Sequence, residues 1–125
     1  MKSISSPNAP AAIGPYSQAI EAGGMIFLSG QIPLDPKTGE LVTGDIQKEA
    51  EQVLANLGAV LKAADCAFSN VVRTTIYLTS MADFQAVNVV YEKAFGAHRP
   101  ARVTVAVAAL PKGARGEIDA IAVVG

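Results

Sequence analysis

The order of structural signals in the second half of the chain constrains the fold most. Val71 to Thr79 is rich in β-branched residues and predicts a strand. Ser80 can cap a helix after it, and apolar residues at helical spacing extend that helix to a stop near Gly96: Phe84, Val87, Tyr91 and Phe95. Arg102 to Ala108 predicts a second strand. A strand, a helix and a strand in this order predict a right-handed parallel crossover.

The segments on either side of this crossover complete the predicted sheet. Two strand-like runs, Tyr16 to Glu21 and Met25 to Gly30, flank Gly23-Gly24, which is typical of a tight hairpin turn because such turns need positive φ. A helix is predicted from about Asp45 to Ala64 by one apolar stripe: Ile46, Ala50, Val53, Leu54, Leu57, Val60, Leu61 and Ala64. Glu117 to Val124 predicts the last strand. The order ββ-α-β-α-ββ indicates an α/β (α+β) protein with a mixed sheet.

The composition limits the class of protein. A chain of 125 residues fits one domain, 1–125, and its 50% hydrophobic and 17% charged residues argue against disorder. Ten basic and 11 acidic residues leave no basic footprint for nucleic acid, and no apolar run approaches the roughly 20 residues of a membrane span. The single Cys66 and the absence of a signal-peptide pattern predict a cytoplasmic protein. One cysteine and one histidine, His98, argue against a zinc site.

Side-chain alternation along the strands predicts what each face of the sheet meets. We expect the helices to cover three mainly apolar sets: Val72, Thr74, Ile76 and Leu78; Val103, Val105 and Val107; Ile118, Ala120, Ala122 and Val124. The opposite sets are mixed in polarity: Arg73, Thr75, Tyr77 and Thr79; Arg102, Thr104 and Ala106; Glu117, Asp119, Ile121 and Val123. Two helices cannot cover both faces. We therefore expect other subunits to cover the second face, giving a homo-oligomer with polar pockets at its seams.

Arg102 and Glu117 are the candidate functional residues. Arg102 follows Pro100 and opens a strand, where a permanent cation is unfavourable unless it meets an anion. Glu117 opens the last strand, and an arginine fork and a carboxylate on one small sheet suggest a site for a small anionic substrate and a water. From these residues alone, a solvated or interface arginine and a surface glutamate remain the favoured interpretation.

A series of short motifs runs in order through the whole chain. They are Asn8-Ala9-Pro10, Ile13-Gly14-Pro15-Tyr16-Ser17-Gln18-Ala19, Ser29-Gly30-Gln31-Ile32-Pro33, Asp35-Pro36-Lys37-Thr38-Gly39-Glu40, Pro100-Ala101-Arg102, Val107-Ala108-Ala109-Leu110-Pro111-Lys112-Gly113 and Glu117-Ile118. Together these motifs resemble the Rid family of imine deaminases, also called YjgF proteins. Each motif alone is weak, but the set is specific to the family, and it reverses the interpretation of Arg102 and Glu117 in favour of function.

The resemblance implies a fold, an assembly and a reaction. The fold is chorismate-mutase-like, with two helices on one face of a mixed sheet, and the assembly is a homotrimer with three sites between subunits. The reaction is the hydrolysis of enamine and imine intermediates, such as 2-aminoacrylate and 2-iminopropanoate, to 2-oxo acids and ammonia without a metal or cofactor. Arg102 would clamp the substrate carboxylate, and Glu117 would activate the attacking water.

The same resemblance implies further substrate contacts. Tyr16 would wall the pocket, and Ser29 and Gly30 would supply short polar and backbone contacts. Thr104 stands where many members of the family carry a cysteine, and by that position it is another substrate-binding candidate.

Two other functions stay open at this point. A non-catalytic trimer that binds small carboxylates, or holds a partner protein, would keep Arg102 but would not need Glu117. A ribonuclease or translation inhibitor is a label that the family has also carried. The balanced charge, the absence of tryptophan and the lack of a second histidine for acid–base cleavage of RNA argue against it.

Overall fold

A computed structural model describes residues 1–125 and shows one six-stranded sheet with two helices on one face. The strands are β1 (Lys2–Ile4), β2 (Ala19–Ala22), β3 (Met25–Gln31), β4 (Val71–Leu78), β5 (Ala101–Ala106) and β6 (Gly116–Val123), and the helices are α1 (Ile46–Ala63) and α2 (Phe84–Phe95). Their spatial order is β1-β2-β3-β6-β4-β5, in which only β4 and β5 are parallel. The mixed sheet and the parallel β-α-β crossover are confirmed, and β1 adds a strand that was not predicted. Neither helix has the length and apolar character needed to span a membrane.

Local sequence signals begin and end these elements as expected. Gly23 and Gly24, at φ 58° and 78°, form the turn between β2 and β3, where a left-handed backbone favours glycine. The Asp45 carboxylate accepts a hydrogen bond from the Gln47 backbone N–H at 2.8 Å and so caps α1. Ser80 caps a single 3-10 turn that leads directly into α2, and Gly96, at φ 62°, ends that helix.

The hydrophobic core lies between the two helices and one face of the sheet. The apolar stripe predicted on α1 is buried from Ala50 to Leu61, and α1 packs on β3 and β6. Several large side chains in this layer are almost fully excluded from solvent: Ile26, Leu57, Leu61, Ile76 and Leu78. Burial of such side chains supplies the main favourable term in folding.

The two faces of the outer strand β5 are opposite to the prediction. Arg102 pairs with Thr74 of β4 in parallel register, and Thr74 is fully buried under the helices. Arg102 and, two residues on, Thr104 therefore lie on the helix-covered face. Val103 and Val105, predicted on that face, lie on the other one and are 39% and 38% exposed. The prediction assumed that the valines would be buried under the helices. It was wrong because β5 is an edge strand, and the aromatic rings of α2 contact the Arg102 side chain there instead.

A smaller departure occurs at the start of β4. The register shifts between Val71 and Arg73, so that Val71 is buried and Val72, predicted under the helices, is 43% exposed. Val124 lies beyond β6 and is also exposed, contrary to prediction. The other sets on β4 and β6 have the predicted parity.

One ion pair joins α1 to the entrance of β6. Glu49 is buried on α1, and its carboxylate accepts hydrogen bonds from Nε and Nη2 of Arg115 at 2.9 and 2.6 Å. The same guanidinium also donates to the carbonyl of Gly44. Since Arg115 lies two residues before Glu117, this pair fixes the strand end that carries the candidate carboxylate.

We expect Arg115→Ala to lower the free energy of unfolding by about 1–3 kcal/mol, because the variant leaves the buried Glu49 carboxylate without its partner. Arg99→Ala is the matched control, since Arg99 pairs with Glu92 in an ion pair whose two side chains are 61% and 70% exposed. Such a pair is worth less than about 1 kcal/mol. Urea denaturation of both variants measures the difference, and equal losses would contradict the structural role of the Arg115–Glu49 pair.

Candidate functional site

Four of the predicted site residues line one cavity of about 460 Å³, here called the Glu117 pocket. Tyr16, Ser29, Gly30 and Glu117 lie together there, with Ile13 and Lys112 among the other lining residues. Glu117 is on β6, on the face of the sheet opposite the helices, here called the open face. Tyr16 is 54% exposed and comes from the loop before β2.

Gly30 and Glu117 are in close contact across a local irregularity of the sheet. The pairing of β3 with β6 shifts register between Leu28 and Gln31, which leaves Ser29 and Gly30 outside the regular ladder. A Cβ atom at Gly30 would stand 2.0 Å from Oε2 of Glu117 and 2.8 Å from its carboxyl carbon. Only glycine therefore leaves room for the carboxylate at this place, and the Glu117 side chain lies directly over the Gly30 backbone.

Buried hydrogen bonds anchor the loop that carries Tyr16. The Gln18 side chain accepts from the Ser6 backbone N–H at 2.5 Å and donates to the Pro10 carbonyl at 2.7 Å. Ser29 Oγ donates to the Ser17 carbonyl at 2.6 Å, so this side chain is already engaged within the chain. The N-terminal wall of the pocket is thus tied to β3 by polar contacts.

A buried amide on α1 holds the other end of the irregular segment. Asn56 is 1% exposed, and its Nδ2 donates to the carbonyls of Ile32 and Leu34 at 3.3 and 2.9 Å. Its Oδ1 accepts from Gln52 at 2.9 Å. Because a buried amide must be satisfied, Asn56 fixes the chain that leaves β3 just after Gly30.

The environment of Glu117 favours its neutral form. Burial raises the pKa of the Glu117 carboxyl, and the negative charge of Asp119 raises that pKa further. Asp119 itself accepts a hydrogen bond from the Tyr77 hydroxyl at 2.9 Å, and this bond is the main reason that the pKa of Tyr77 is raised. A carboxyl with a raised pKa can both take up and release a proton closer to neutral pH than an ordinary glutamate.

Arg102 lies in a second cavity of about 520 Å³, here called the Arg102 pocket, which α2 and the start of β5 form. Its Nη1 donates to Asn88 Oδ1 at 2.8 Å, and its Cζ lies 5.0 Å from the ring centroid of Tyr91 and 5.5 Å from that of Phe84. Arg102 makes no ion pair within the chain. A guanidinium that is stacked and oriented, but has no carboxylate partner, is suited to bind an external anion.

Thr104 lies on the same face of β5 as Arg102, two residues further along. Its Oγ1 is buried and has no hydrogen-bond partner in the chain. Buried hydroxyls are normally paired, so this one is an exception, and it is closed to solvent within one chain.

The structure therefore corrects one expectation about the site. Arg102 and Glu117 were both expected on the second, mixed face of the sheet, which other subunits were expected to cover. Instead Arg102 and Thr104 lie on the helix-covered face at the β5 edge, and Glu117 lies on the open face with Gly30. One chain thus contains two separate half-sites. No three His, Cys, Asp or Glu side chains lie close enough to hold a metal ion.

Sequence reasoning favoured packing roles for Phe84 and Tyr91 on the apolar face of α2, and it did not consider Asn88. All three contact the Arg102 guanidinium. The spacing of Phe84, Asn88 and Tyr91 at four and three residues places them on one helix face, and this signal could have found them. Lys112 has a left-handed backbone, φ 58°, in the wall of the Glu117 pocket, and no sequence pattern indicated that conformation.

Comparison with known proteins gives one consistent family. The profile of the family described as endoribonuclease L-PSP matches residues 6–124. A mouse protein named 2-iminobutanoate/2-iminopropanoate deaminase is 55% identical over 124 residues, which cover 99% of this chain and 92% of the mouse protein.

Solved structures agree with the sequence comparison. A Yersinia pestis protein of the conserved Rid protein family, YyfA, superposes with a TM-score of 0.96 at 50% identity, covering 98% of both chains. Escherichia coli TdcF, solved with bound serine, superposes with a TM-score of 0.94 at 42% identity, also covering 98% of both chains.

We expect the raised pKa of Glu117 to make folding less favourable as the pH rises. The folded state binds more protons than the unfolded state between the ordinary glutamate pKa and the raised one, so the free energy of unfolding decreases as the pH rises through that interval. Glu117→Gln removes this titration. The free energy of unfolding of the variant minus that of wild type, measured by urea denaturation, should therefore be larger at pH 7 than at pH 4. The same difference at both pH values would contradict the raised pKa.

Proposed function

This chain belongs to the endoribonuclease L-PSP family, also known as the Rid family, and on that premise we propose that it is an enamine/imine deaminase. It hydrolyses intermediates of the 2-aminoacrylate and 2-iminopropanoate type to 2-oxo acids and ammonia. One observation carries the proposal beyond the names of relatives: the chain holds a guanidinium without an ionic partner and a half-buried carboxylate with a raised pKa. A 2-imino acid needs both, because it has an anionic end and an electrophilic C=N carbon.

Arg102 binds the substrate carboxylate. Stacking on the rings of α2 and the hydrogen bond to Asn88 orient the guanidinium, and its other N–H groups can meet a carboxylate through two parallel hydrogen bonds. Thr104 follows on the same face of β5, but its Oγ1 is buried and it does not line the Arg102 pocket, so no substrate contact is assigned to it. Fixing the anionic end places the imine carbon at a defined distance from the second half-site, which lowers the entropic part of the barrier.

Glu117 takes the proton from the attacking water. The water oxygen forms a bond to the imine carbon, the C=N electrons move to nitrogen, and Glu117 accepts the proton released from the water. Protonation of nitrogen and collapse of the tetrahedral intermediate give the 2-oxo acid and ammonia, and the proton on Glu117 is returned in this second phase. Tyr16 walls the pocket, while Ser29 and Gly30 shape its floor beneath the carboxylate.

The two half-sites belong to different subunits of a homotrimer. Arg102 and Glu117 lie on opposite faces of one sheet, so they can act on one substrate only if neighbouring copies bring them together. The open face supports such an assembly, because it exposes a set of apolar residues: Phe27, Val103, Val105 and Val123. Covering them buries apolar surface and places the β5 edge of one copy beside the Glu117 pocket of the next. Residues 1–125 act in this trimer as a single Rid-type domain.

The residues of the two half-sites also favour deamination over the alternatives. A non-catalytic carboxylate-binding trimer would need Arg102, but it has no use for a half-buried Glu117 fitted over a glycine. Ribonuclease activity would need acid–base groups in contact with RNA. The single histidine, His98, instead has its Nε2 2.6 Å from the Val71 carbonyl, at the end of α2.

Arg102→Ala should reduce kcat/KM for 2-oxo acid formation from 2-aminoacrylate generated in situ by at least about 100-fold, since the anionic end of the substrate loses its clamp. Lys93→Ala is the matched control, because Lys93 is an exposed cation on α2 that does not line the Arg102 pocket. The control should remain within about threefold of wild type. Fixed-time assays of 2-oxo acid formation give kcat/KM for the variant and for the control. Circular dichroism checks that both proteins are folded.

Two results would contradict the proposal. One is wild-type protein that is folded but does not accelerate 2-oxo acid formation over buffer, which would remove the deaminase function. The other is full activity of Arg102→Ala at normal substrate affinity, which would move the anion site elsewhere.

A further inference from the structure

A buried hydroxyl contact joins two residues that are both neighbours of Arg102. Thr74 on β4 is fully buried, and its Oγ1 lies 2.7 Å from the Tyr91 hydroxyl. Tyr91 on α2 is 7% exposed, and its ring lies 5.0 Å from Cζ of Arg102. Thr74 is also the Cα partner of Arg102 in the ladder between β4 and β5. Each of the three residues therefore contacts the other two: Thr74 pairs with Arg102 in the ladder and hydrogen-bonds to Tyr91, and the Tyr91 ring stacks against Arg102.

We propose that Thr74 and Tyr91 are positioning residues for the carboxylate clamp: the buried hydroxyl pair fixes the Tyr91 ring, and the ring fixes the plane of the Arg102 guanidinium. This inference rests on the proposed function, because it assigns the substrate carboxylate to Arg102. It adds two residues that do not touch the substrate, and it explains how an exposed side chain keeps one orientation.

The ring of Tyr91 has a second stacking contact besides the guanidinium. Phe95 stacks on it with centroids 4.4 Å apart and planes inclined by 28°, and Cζ of Arg102 lies 5.0 Å from its centroid. Without the hydroxyl contact the ring could still pack, but its tilt and its depth along the helix face would no longer be set. An arginine side chain has many rotamers, so a defined stacking surface matters for a fork that must present two N–H groups together.

The polar pair is not needed for packing. Thr74 lies in a buried row with Ile76 and Leu78, where valine has the same shape and no polar atom. Replacing both partners of a buried hydrogen bond by apolar groups of the same shape is close to neutral for stability, whereas leaving one partner alone is unfavourable. The Thr74–Tyr91 hydrogen bond therefore fixes the position of the Tyr91 ring more than it adds to the stability of the fold.

The test compares Thr74→Val, Tyr91→Phe and the double variant with wild type, using two readouts. The first is the dissociation constant for 2-oxobutanoate, a carboxylate probe that needs no turnover, measured by calorimetry. The second is the division of any activity loss between KM and kcat for 2-iminobutanoate generated in situ. The double variant leaves no unpaired hydroxyl, so it keeps the test valid even if a single variant folds poorly.

A loosened clamp holds the carboxylate less tightly, so it should weaken probe binding and raise KM. We expect the probe dissociation constant and KM to rise about fivefold or more in each variant, and any loss of positioning adds a decrease in kcat to this rise. The double variant should resemble the singles rather than multiply their effects, because both changes break the same contact. A purely structural role would instead reduce the active fraction, lowering kcat at constant KM.

Unchanged probe affinity and KM in the folded double variant would overturn the inference, and so would a loss confined to kcat. These outcomes are distinct from failure of the proposed function. Wild-type protein that binds 2-oxobutanoate but does not deaminate would remove the deaminase function, while the probe affinities of the variants would still decide the role of Thr74 and Tyr91. Wild-type protein that does not bind the probe would overturn the inference as well.

Discussion

The parallel register of β5 on β4 determines which residues can meet in a functional site. Pairing of Arg102 with Thr74 places the guanidinium on the helix-covered side of the sheet, against the aromatic rings of α2. The same register places Val103 and Val105 on the open face. A shift of one residue would exchange these sets and put Arg102 on the face of Glu117, so separation of the two half-sites depends on this one ladder.

Each half-site has its own support from the fold. Glu117 has its place because Gly30 has no side chain, because the Arg115–Glu49 pair holds the entrance of β6, and because Asn56 holds the chain after Gly30. Arg102 depends on α2, whose start is set by Ser80 and whose Tyr91 ring is tied to the sheet. Rigid elements thus carry both charged groups, which is what positioning catalysis requires.

Local signals in the sequence predicted most of the fold. Capping residues, glycine turns and the apolar stripe of α1 act over a few residues, so they identify helices and strands well. The prediction of which β5 side chains face the helices was wrong, because burial of valines does not decide the orientation of an edge strand beside an aromatic helix. The irregularity at Val71 and the one at Ser29-Gly30 involve contacts between distant segments, which no short pattern reveals.

The sequence likewise predicted one part of the site and not the other. Family motifs brought together Tyr16, Ser29, Gly30 and Glu117, and the structure places these four in one pocket. The environment of Arg102 could not be obtained from the motifs, because Asn88 and Tyr91 lie on a helix that was assigned to packing alone. The proposed partnership of the two half-sites involves a second copy of the chain, and no periodicity within one chain encodes how two copies meet.

Complementation between two inactive variants tests the shared site most directly. Arg102→Ala and Glu117→Gln, each carrying a different tag, are expressed separately and together, and mixed trimers are isolated by tandem affinity purification. If one subunit supplies Arg102 and its neighbour supplies Glu117, each mixed trimer has both groups restored in one of its three sites, so isolated mixed trimers should regain about a third of wild-type activity and the unselected mixture about a quarter. Each variant alone should stay inactive. Mixed trimers that form but remain as inactive as the separate variants would contradict a site shared between subunits.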